Sequence, residues 1–153
     1  MLSRPTTAQI INDCRRELAE VVAPALNDEA AAVSLAMLDE VLRNCAVRAA
    51  HEVAWMRQEI TDMVSYARKV AAAQSVAPLD RALQTFDDAE SGSLHVEELA
   101  ADYSLAGACL AEALDAARAG NLAGLLRDGR TLLDERLERE NQIKGDWGFV
   151  GRS

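Results

Sequence analysis

Residues 28–74 contain no glycine and no proline, and this constrains the fold more than any other feature of the chain. These two residue types are the ones that most reliably interrupt a helix. Apolar residues recur through the stretch at alternating spacings of three and four, the period of one helix face. They are Leu35, Leu38, Leu42, Cys45 and Ala49, and then Val53, Met56, Ile60, Met63, Ala67 and Val70. The pattern predicts one very long helix, or two helices with a soft break near Thr61 and Asp62.

The apolar pattern slips by one residue between Ala49 and Val53, and such a stutter locally unwinds a supercoil. At about 1.5 Å per residue, a continuous helix here would reach about 70 Å. Its two apolar stripes would be longer than short companion helices can cover, so a second chain is expected to bury the remainder. We therefore predict a homodimer, or a tight complex with another protein, with Met56, Ile60 and Met63 at the shared surface. A soft break would instead give a compact monomer.

Shorter helices are predicted on both sides of this stretch. Thr6 and Gln9 have the spacing of a capping box, so a helix should begin near residue 7. Pro24 should end or kink it, and Asn27 is suited to cap the long helix. Later helices are predicted over 79–89, over 94–119 and after 121, the last weakened or broken at Gly129. The predicted fold is all-α: an up-and-down bundle of four to five helices built around one very long helix.

Composition narrows the classes of protein to which the chain can belong. The net charge is −9, and no basic stripe is present, which argues against nucleic acid and against anionic membranes as partners. No apolar run approaches the length of a membrane span. The 3 cysteines are widely spaced and form no paired motif. We expect one domain over residues 1–153 and a cytoplasmic location.

The segment FDDAESGSLHVEEL at 86–99 resembles the loop of a calcium-binding EF-hand. Asp87 takes the first position, Gly92 the sixth and Glu98 the twelfth. Ala89 at the third position removes an oxygen ligand, and His95 at the ninth is a poor donor for a hard cation. The acidic helix–turn–helix corner is the more frequent interpretation, so we expect no tight calcium binding, no metal site and no cofactor.

A second candidate lies within RNCAVRAAHEVAWMRQE at 43–59. Arg48, His51, Glu52 and Trp55 fall within a few turns, roughly along one side of the predicted helix. A zincin would need a second His where Trp55 stands, so a metalloprotease site is not predicted. The cluster is interpreted either as a structural polar group or as a contact for a small molecule or partner. No nucleophile–base set is recognisable, and no catalytic residue is assigned.

The C-terminal tail, residues 145–153, holds Trp147 and Phe149 although the chain has only 4% aromatic residues. Burial of either side chain would be worth about 1.5–3 kcal/mol, enough to order a short glycine-rich segment. We expect the tail to dock onto the bundle of its own chain, or to bind a partner.

Three features of the chain occur together: the opening RPTTAQIINDCRREL, the long alanine-rich helix, and the segment LHVEELAADYSLAGACLAEALDAA followed by a charged closing helix. In this combination the chain resembles a bacterial family of short all-helical proteins of unknown function. Members of that family are commonly encoded beside aminoglycoside-phosphotransferase-like kinases and acyl-CoA dehydrogenases. The resemblance implies an accessory protein of small-molecule or acyl metabolism, and it brings no catalytic residues.

Three functional hypotheses remain open. The leading one is a non-catalytic interaction protein that acts as a homodimer or as a small subunit beside a metabolic enzyme. The alternative is a ligand-binding or enzymatic bundle that uses Arg48, His51, Glu52 and Trp55 around a pocket. The third is a calcium-responsive protein that uses residues 87–98.

Overall fold

A computed structural model describes residues 4–144, and every regular element within that range is helical. The elements are α1 (Thr7–Glu17), a π-helical segment (Leu18–Val22), α2 (Ala23–Ala25), α3 (Glu29–Ala73), α4 (Ala77–Ala89), α5 (Val96–Ala119) and α6 (Ala123–Lys144). The predicted all-α fold, built around one very long helix, is confirmed. Among these helices, none combines the length and the apolar character that crossing a membrane requires.

Helix α3 runs for 45 residues without a break. Its N-terminus is capped by Asp28, whose Oδ2 accepts a 3.0 Å hydrogen bond from the backbone N–H of Ala31, so the cap lies one residue later than predicted. The soft break near Thr61 and Asp62 does not occur. The Thr61 hydroxyl instead donates to the carbonyl of Arg57 one turn earlier, which satisfies this polar side chain inside the helix.

Helix α1 begins as predicted, with Thr6 and Gln9 forming a complete capping box. The helix then widens over Leu18–Val22, where the N–H of Ala23 donates to the carbonyl of Leu18, five residues back. This wide turn directly precedes Pro24, which has no N–H to donate and whose ring crowds the previous turn. The helical path ends at Ala25, so Pro24 acts as the predicted stop.

The contacts divide the described residues into two compact units. The first comprises residues 4–52 with 140–144, and the second comprises residues 53–139. The division at Glu52 and Val53 coincides with the slip in the apolar pattern of α3. The single domain with a docked tail stays a prediction, because residues 145–153 lie outside the described range.

The second unit has a well-formed aliphatic core contributed by α3, α4, α5 and α6. Its largest fully buried apolar side chains are Met63, Val70, Leu79, Leu99 and Cys109. Small residues of α5, such as Ala106 and Ala113, are also fully buried, which allows neighbouring helices to approach closely. The core therefore depends on alanine and leucine packing, as the low aromatic content predicts.

Helix α6 passes through Gly129 without interruption, so the predicted weak point is not a break. The reason for the glycine is steric. A Cβ at this position would lie 2.6 Å from the Tyr66 hydroxyl and 2.7 Å from Cδ2 of Leu114. Gly129 thus lets α6 pack directly against two side chains of the second unit.

Candidate functional site

Half of the large apolar side chains described in the first unit are exposed to solvent, and the other half are only partly buried. Ala46 is its only buried residue among those whose burial is described, residues 4–52 and 140–143. By contrast, its exposed apolar side chains are Ile10, Val21, Val22, Val33, Met37, Leu38 and Val41. The most exposed of these is Met37, at 63%. The described residues of the first unit therefore bury little apolar surface of their own.

The N-terminal half of α3 is apolar on two opposite sides. With about 100° per residue, Leu35, Leu42 and Ala46 lie on one side, and all three are partly or fully buried. Val33, Met37 and Val41 lie on the other side and are exposed. We call this second side, together with the neighbouring Leu38, the outer face of α3. A helix with two apolar sides is typical of an element that is covered on both.

A polar clamp holds α1 on the inner side. Nε of Arg15 donates to Oδ1 of Asp39 at 2.8 Å, and Nη2 of Arg15 donates to Oδ2 at 3.0 Å. This bidentate arrangement holds the pKa of the Asp39 carboxyl below its ordinary value, chiefly through the hydrogen bonds from Arg15. Since Asp39 lies on the same side of α3 as Leu35 and Leu42, α1 covers the inner side and leaves the outer face open.

The cluster predicted around His51 is only partly assembled. Nε of Arg48 donates to Oε1 of Glu52 at 2.9 Å, so these two residues form an ion pair along one turn of the helix surface. His51 is exposed and Trp55 is half-buried. Arg48, His51 and Glu52 belong to the first unit, whereas Trp55 belongs to the second. Convergence of all four side chains on one ligand stays a prediction, and Trp147 and Phe149 lie outside the described residues.

The residues predicted to form the dimer surface lie elsewhere than expected. Met63 is fully buried and Ile60 is 4% exposed, both within the core of the second unit, and Met56 packs against that core. These side chains pack in a core formed with α4, α5 and α6 of the same chain. The predicted location of a shared surface therefore needs correction. The exposed apolar residues of α3 come about twenty positions earlier, on its outer face.

Sequence reasoning missed a buried charge cluster in the second unit. Glu59 is only 7% exposed, and its Oε2 accepts a 2.5 Å hydrogen bond from the Tyr103 hydroxyl and a 3.1 Å hydrogen bond from Nε of Arg136. Nη2 of Arg136 also donates to the Tyr103 hydroxyl at 2.8 Å. Nη1 of Arg139 lies 3.4 Å from Oε1 of Glu59. The cluster therefore joins α3, α5 and α6 through one carboxylate.

This environment raises the pKa of Tyr103. Burial is the main cause, and the hydrogen bond to the Glu59 carboxylate adds to it, while Arg136 acts in the opposite direction. The cluster has the character of a structural clamp, because every charged oxygen of Glu59 is matched by a cation or a hydroxyl. Glu59, Tyr103 and Arg136 lie far apart in sequence, so no local spacing could reveal it.

Two oxygen-bearing side chains of the calcium-like loop make other contacts. Asp87 accepts a hydrogen bond from Arg68 at 2.6 Å, and the Ser91 hydroxyl donates to the buried Asp102 at 2.8 Å. Helix α4 continues through Asp87 and Asp88 as far as Ala89. Within the part of the chain that the structure describes, no group of three or more His, Cys, Asp or Glu side chains is arranged to hold a metal ion.

Two grooves open on the second unit. One, of about 600 Å³, lies between α3 and α4, and its lining includes Ile60, Val64, Lys69 and Phe86. The other, of about 230 Å³, lies between α3 and α6 beside Tyr66 and Asp128. Both are open to solvent along their length, and neither is lined by the residues predicted around His51.

Comparisons of the chain with protein-family models, with curated proteins and with solved structures give no match. The resemblance drawn from the opening segment and from residues 94–117 therefore stays a prediction.

Proposed function

We propose that this is a non-catalytic helical interaction protein that works as a homodimer through its first unit. The observation that supports the proposal is the contrast between the two units. The second unit buries a continuous core, whereas the described part of the first buries Ala46 alone and exposes large apolar side chains on α1, on the π-helical segment and on α3. Burial of that apolar surface would supply the missing stabilisation of the first unit.

A second copy of the chain is the occupant we propose for this surface. Soluble monomers rarely expose a contiguous apolar patch larger than a few hundred Å². One self-complementary patch related by a twofold axis buries itself and closes the assembly, so no further exposed surface is created.

The partner enzyme is a further part of this proposal. The resemblance implies an accessory role in small-molecule or acyl metabolism, and a dimer would present two copies of the second unit to such an enzyme. The alternative, a ligand-binding or enzymatic bundle around Arg48, His51, Glu52 and Trp55, gains no support from the geometry, because Arg48 and Glu52 pair with each other at the helix surface.

A charge placed on the outer face tests the proposal. Met37→Glu should convert the dimer to a monomer in size-exclusion chromatography with light scattering, because two carboxylates would be buried near each other without partners. The matched control is Leu94→Glu, since Leu94 is as exposed as Met37 but belongs to the second unit. This control should remain dimeric. If the unchanged protein already elutes as a monomer, the proposal is wrong.

A further inference from the structure

We infer that the two copies pair antiparallel along the outer faces of α3, with the twofold axis crossing the helix pair at the level of Asp39. This inference rests on the proposed homodimer and specifies how its two copies are arranged. The residues that carry it are Ala30, Ser34, Met37, Val41, Asn44 and Arg48. Their spacings alternate between four and three, which is the seam of a two-stranded coiled coil.

The four central residues of this seam are symmetric in type about residue 39, whereas the outermost pair, Ala30 and Arg48, is not. In an antiparallel pair centred there, Met37 of one copy faces Val41 of the other, so apolar side chains meet at the centre. One step outward, Ser34 faces Asn44, so polar side chains meet each other. A shift of one heptad in either direction would place Met37 opposite Ser34 or Arg48. The centred register is therefore the one that matches apolar with apolar residues.

The charges at the two ends of the seam also favour the antiparallel arrangement. Asp28 and Glu29 stand at the start of α3, and Arg48 stands at the other end of the seam with its side chain 56% exposed. Antiparallel pairing brings Arg48 of each copy, which is paired with Glu52 in its own chain, to the acidic start of the other. Parallel pairing would place Arg48 beside Arg48 of the other copy and Glu29 beside Glu29 of the other copy. Like charges would then meet at both ends.

The exposure pattern fits the same register. Val33 and Leu38 border the seam on its two sides, and both are exposed in the single chain. They would form the edges of the buried strip. On the opposite side of the helix, Asp39 is held by Arg15 of α1, so α1 lies behind the helix and does not obstruct the second copy.

Distances between spin labels test the register. Each label is attached to an introduced cysteine, Leu38→Cys or Ala49→Cys, in a background with Cys14→Ser and Cys45→Ser, because these two native thiols are exposed whereas Cys109 is buried. At about 1.5 Å per residue, an antiparallel pair centred at residue 39 separates labels at position 38 by about 3 Å along the axis, and labels at position 49 by about 30 Å.

The expected result is a short separation for labels at position 38 and a separation of about 30 Å or more for labels at position 49. Equal short separations at both positions in a dimeric sample would show parallel pairing, and any other pattern in a dimer would show a different register. Either result overturns this inference and leaves the homodimer standing. A monomeric mass by light scattering, with no separation between chains at either position, overturns both proposals.

Discussion

Met37 and Met63 lie on the same uninterrupted helix, yet the side chain of Met37 is 63% exposed whereas that of Met63 is fully buried. The difference comes from their neighbours. Met63 is surrounded by α4, α5 and α6, which pack on the second half of α3. Met37 faces away from α1, the helix held to the first half of α3 by Arg15. The second half of α3 thus lies in the core of the second unit, whereas the outer face of its first half is open to solvent.

Removal of the buried carboxylate should strongly destabilise the second unit. Glu59→Ala leaves the hydroxyl of Tyr103 and the guanidinium groups of Arg136 and Arg139 without their common acceptor. Because both arginines keep some access to water, we expect a loss of roughly 2–3 kcal/mol, less than the about 3–5 kcal/mol that breaking a fully buried pair costs. Urea unfolding followed by circular dichroism measures it.

The matched control for this change is Asp13→Ala, since Asp13 pairs with Arg16 on the exposed surface of α1. Exposed pairs contribute about 0–1 kcal/mol, so the control should unfold nearly like the unchanged protein. Equal and small effects of the two substitutions would show that the cluster around Glu59 is not a clamp.

Stability should fall at alkaline pH, and Tyr103 should account for part of the fall. Folding raises the pKa of Tyr103 above the ordinary value of 10.0, so the folded state holds this proton more tightly than the unfolded state does. The contribution is fully present below pH 10.0 and is lost as the pH rises through the raised pKa. Tyr103→Phe should therefore flatten the dependence of the urea midpoint on pH above 10.0, and an unchanged slope would contradict the assignment.

Burial also raises the pKa values of Tyr66 and Cys109, so the slope should be reduced by Tyr103→Phe and not abolished.

Asp39 should act at the other end of the pH range. Because hydrogen bonds from Arg15 lower its pKa below 3.8, its contribution is present above that value and is lost as the pH falls through the lowered pKa.

The two glycines of α6 should respond in opposite ways to alanine. At Gly124 an added Cβ meets nothing within 4 Å, so Gly124→Ala should stabilise the helix by up to about 1 kcal/mol. At Gly129 the same Cβ would overlap the Tyr66 hydroxyl at 2.6 Å, so Gly129→Ala should lower the melting temperature despite the better helix propensity.

The additional substitution Tyr66→Phe checks the cause, because it removes the oxygen nearest to the new methyl group. Gly129→Ala should be less damaging in that background than in the unchanged protein. An equal loss in both backgrounds would show that the clash with Leu114 dominates instead.

The sequence predicts where the helices begin and end better than it predicts which helices pack against each other. The absence of Gly and Pro over residues 28–74 is a local property, and it correctly indicates the continuous α3. The capping box at Thr6 and the stop at Pro24 are local as well. The helix period shows which residues share a side but not which side another helix covers. For this reason the pattern predicts Ile60 and Met63 at a shared surface, whereas their own chain buries them.

The cluster around Glu59 illustrates the same limit. Tyr103 follows Glu59 by 44 positions and Arg136 follows it by 77, so only the packing of α3, α5 and α6 brings them together. In the sequence, Arg136 and Arg139 belong to a run of alternating charge that is typical of a solvated helix face. These two arginines differ from their neighbours because they contact the buried carboxylate of Glu59, which lies on another helix.

The measurement that tests the central claim most directly is sedimentation equilibrium of the unchanged protein at micromolar concentration. In the proposed homodimer, a second copy covers the apolar outer face of α3, which has Met37 and Val41 at its centre. We predict a single species of twice the chain mass of 16.5 kDa, dissociated by Met37→Glu but not by Leu94→Glu. A uniform species of 16.5 kDa at the same concentration would contradict the account.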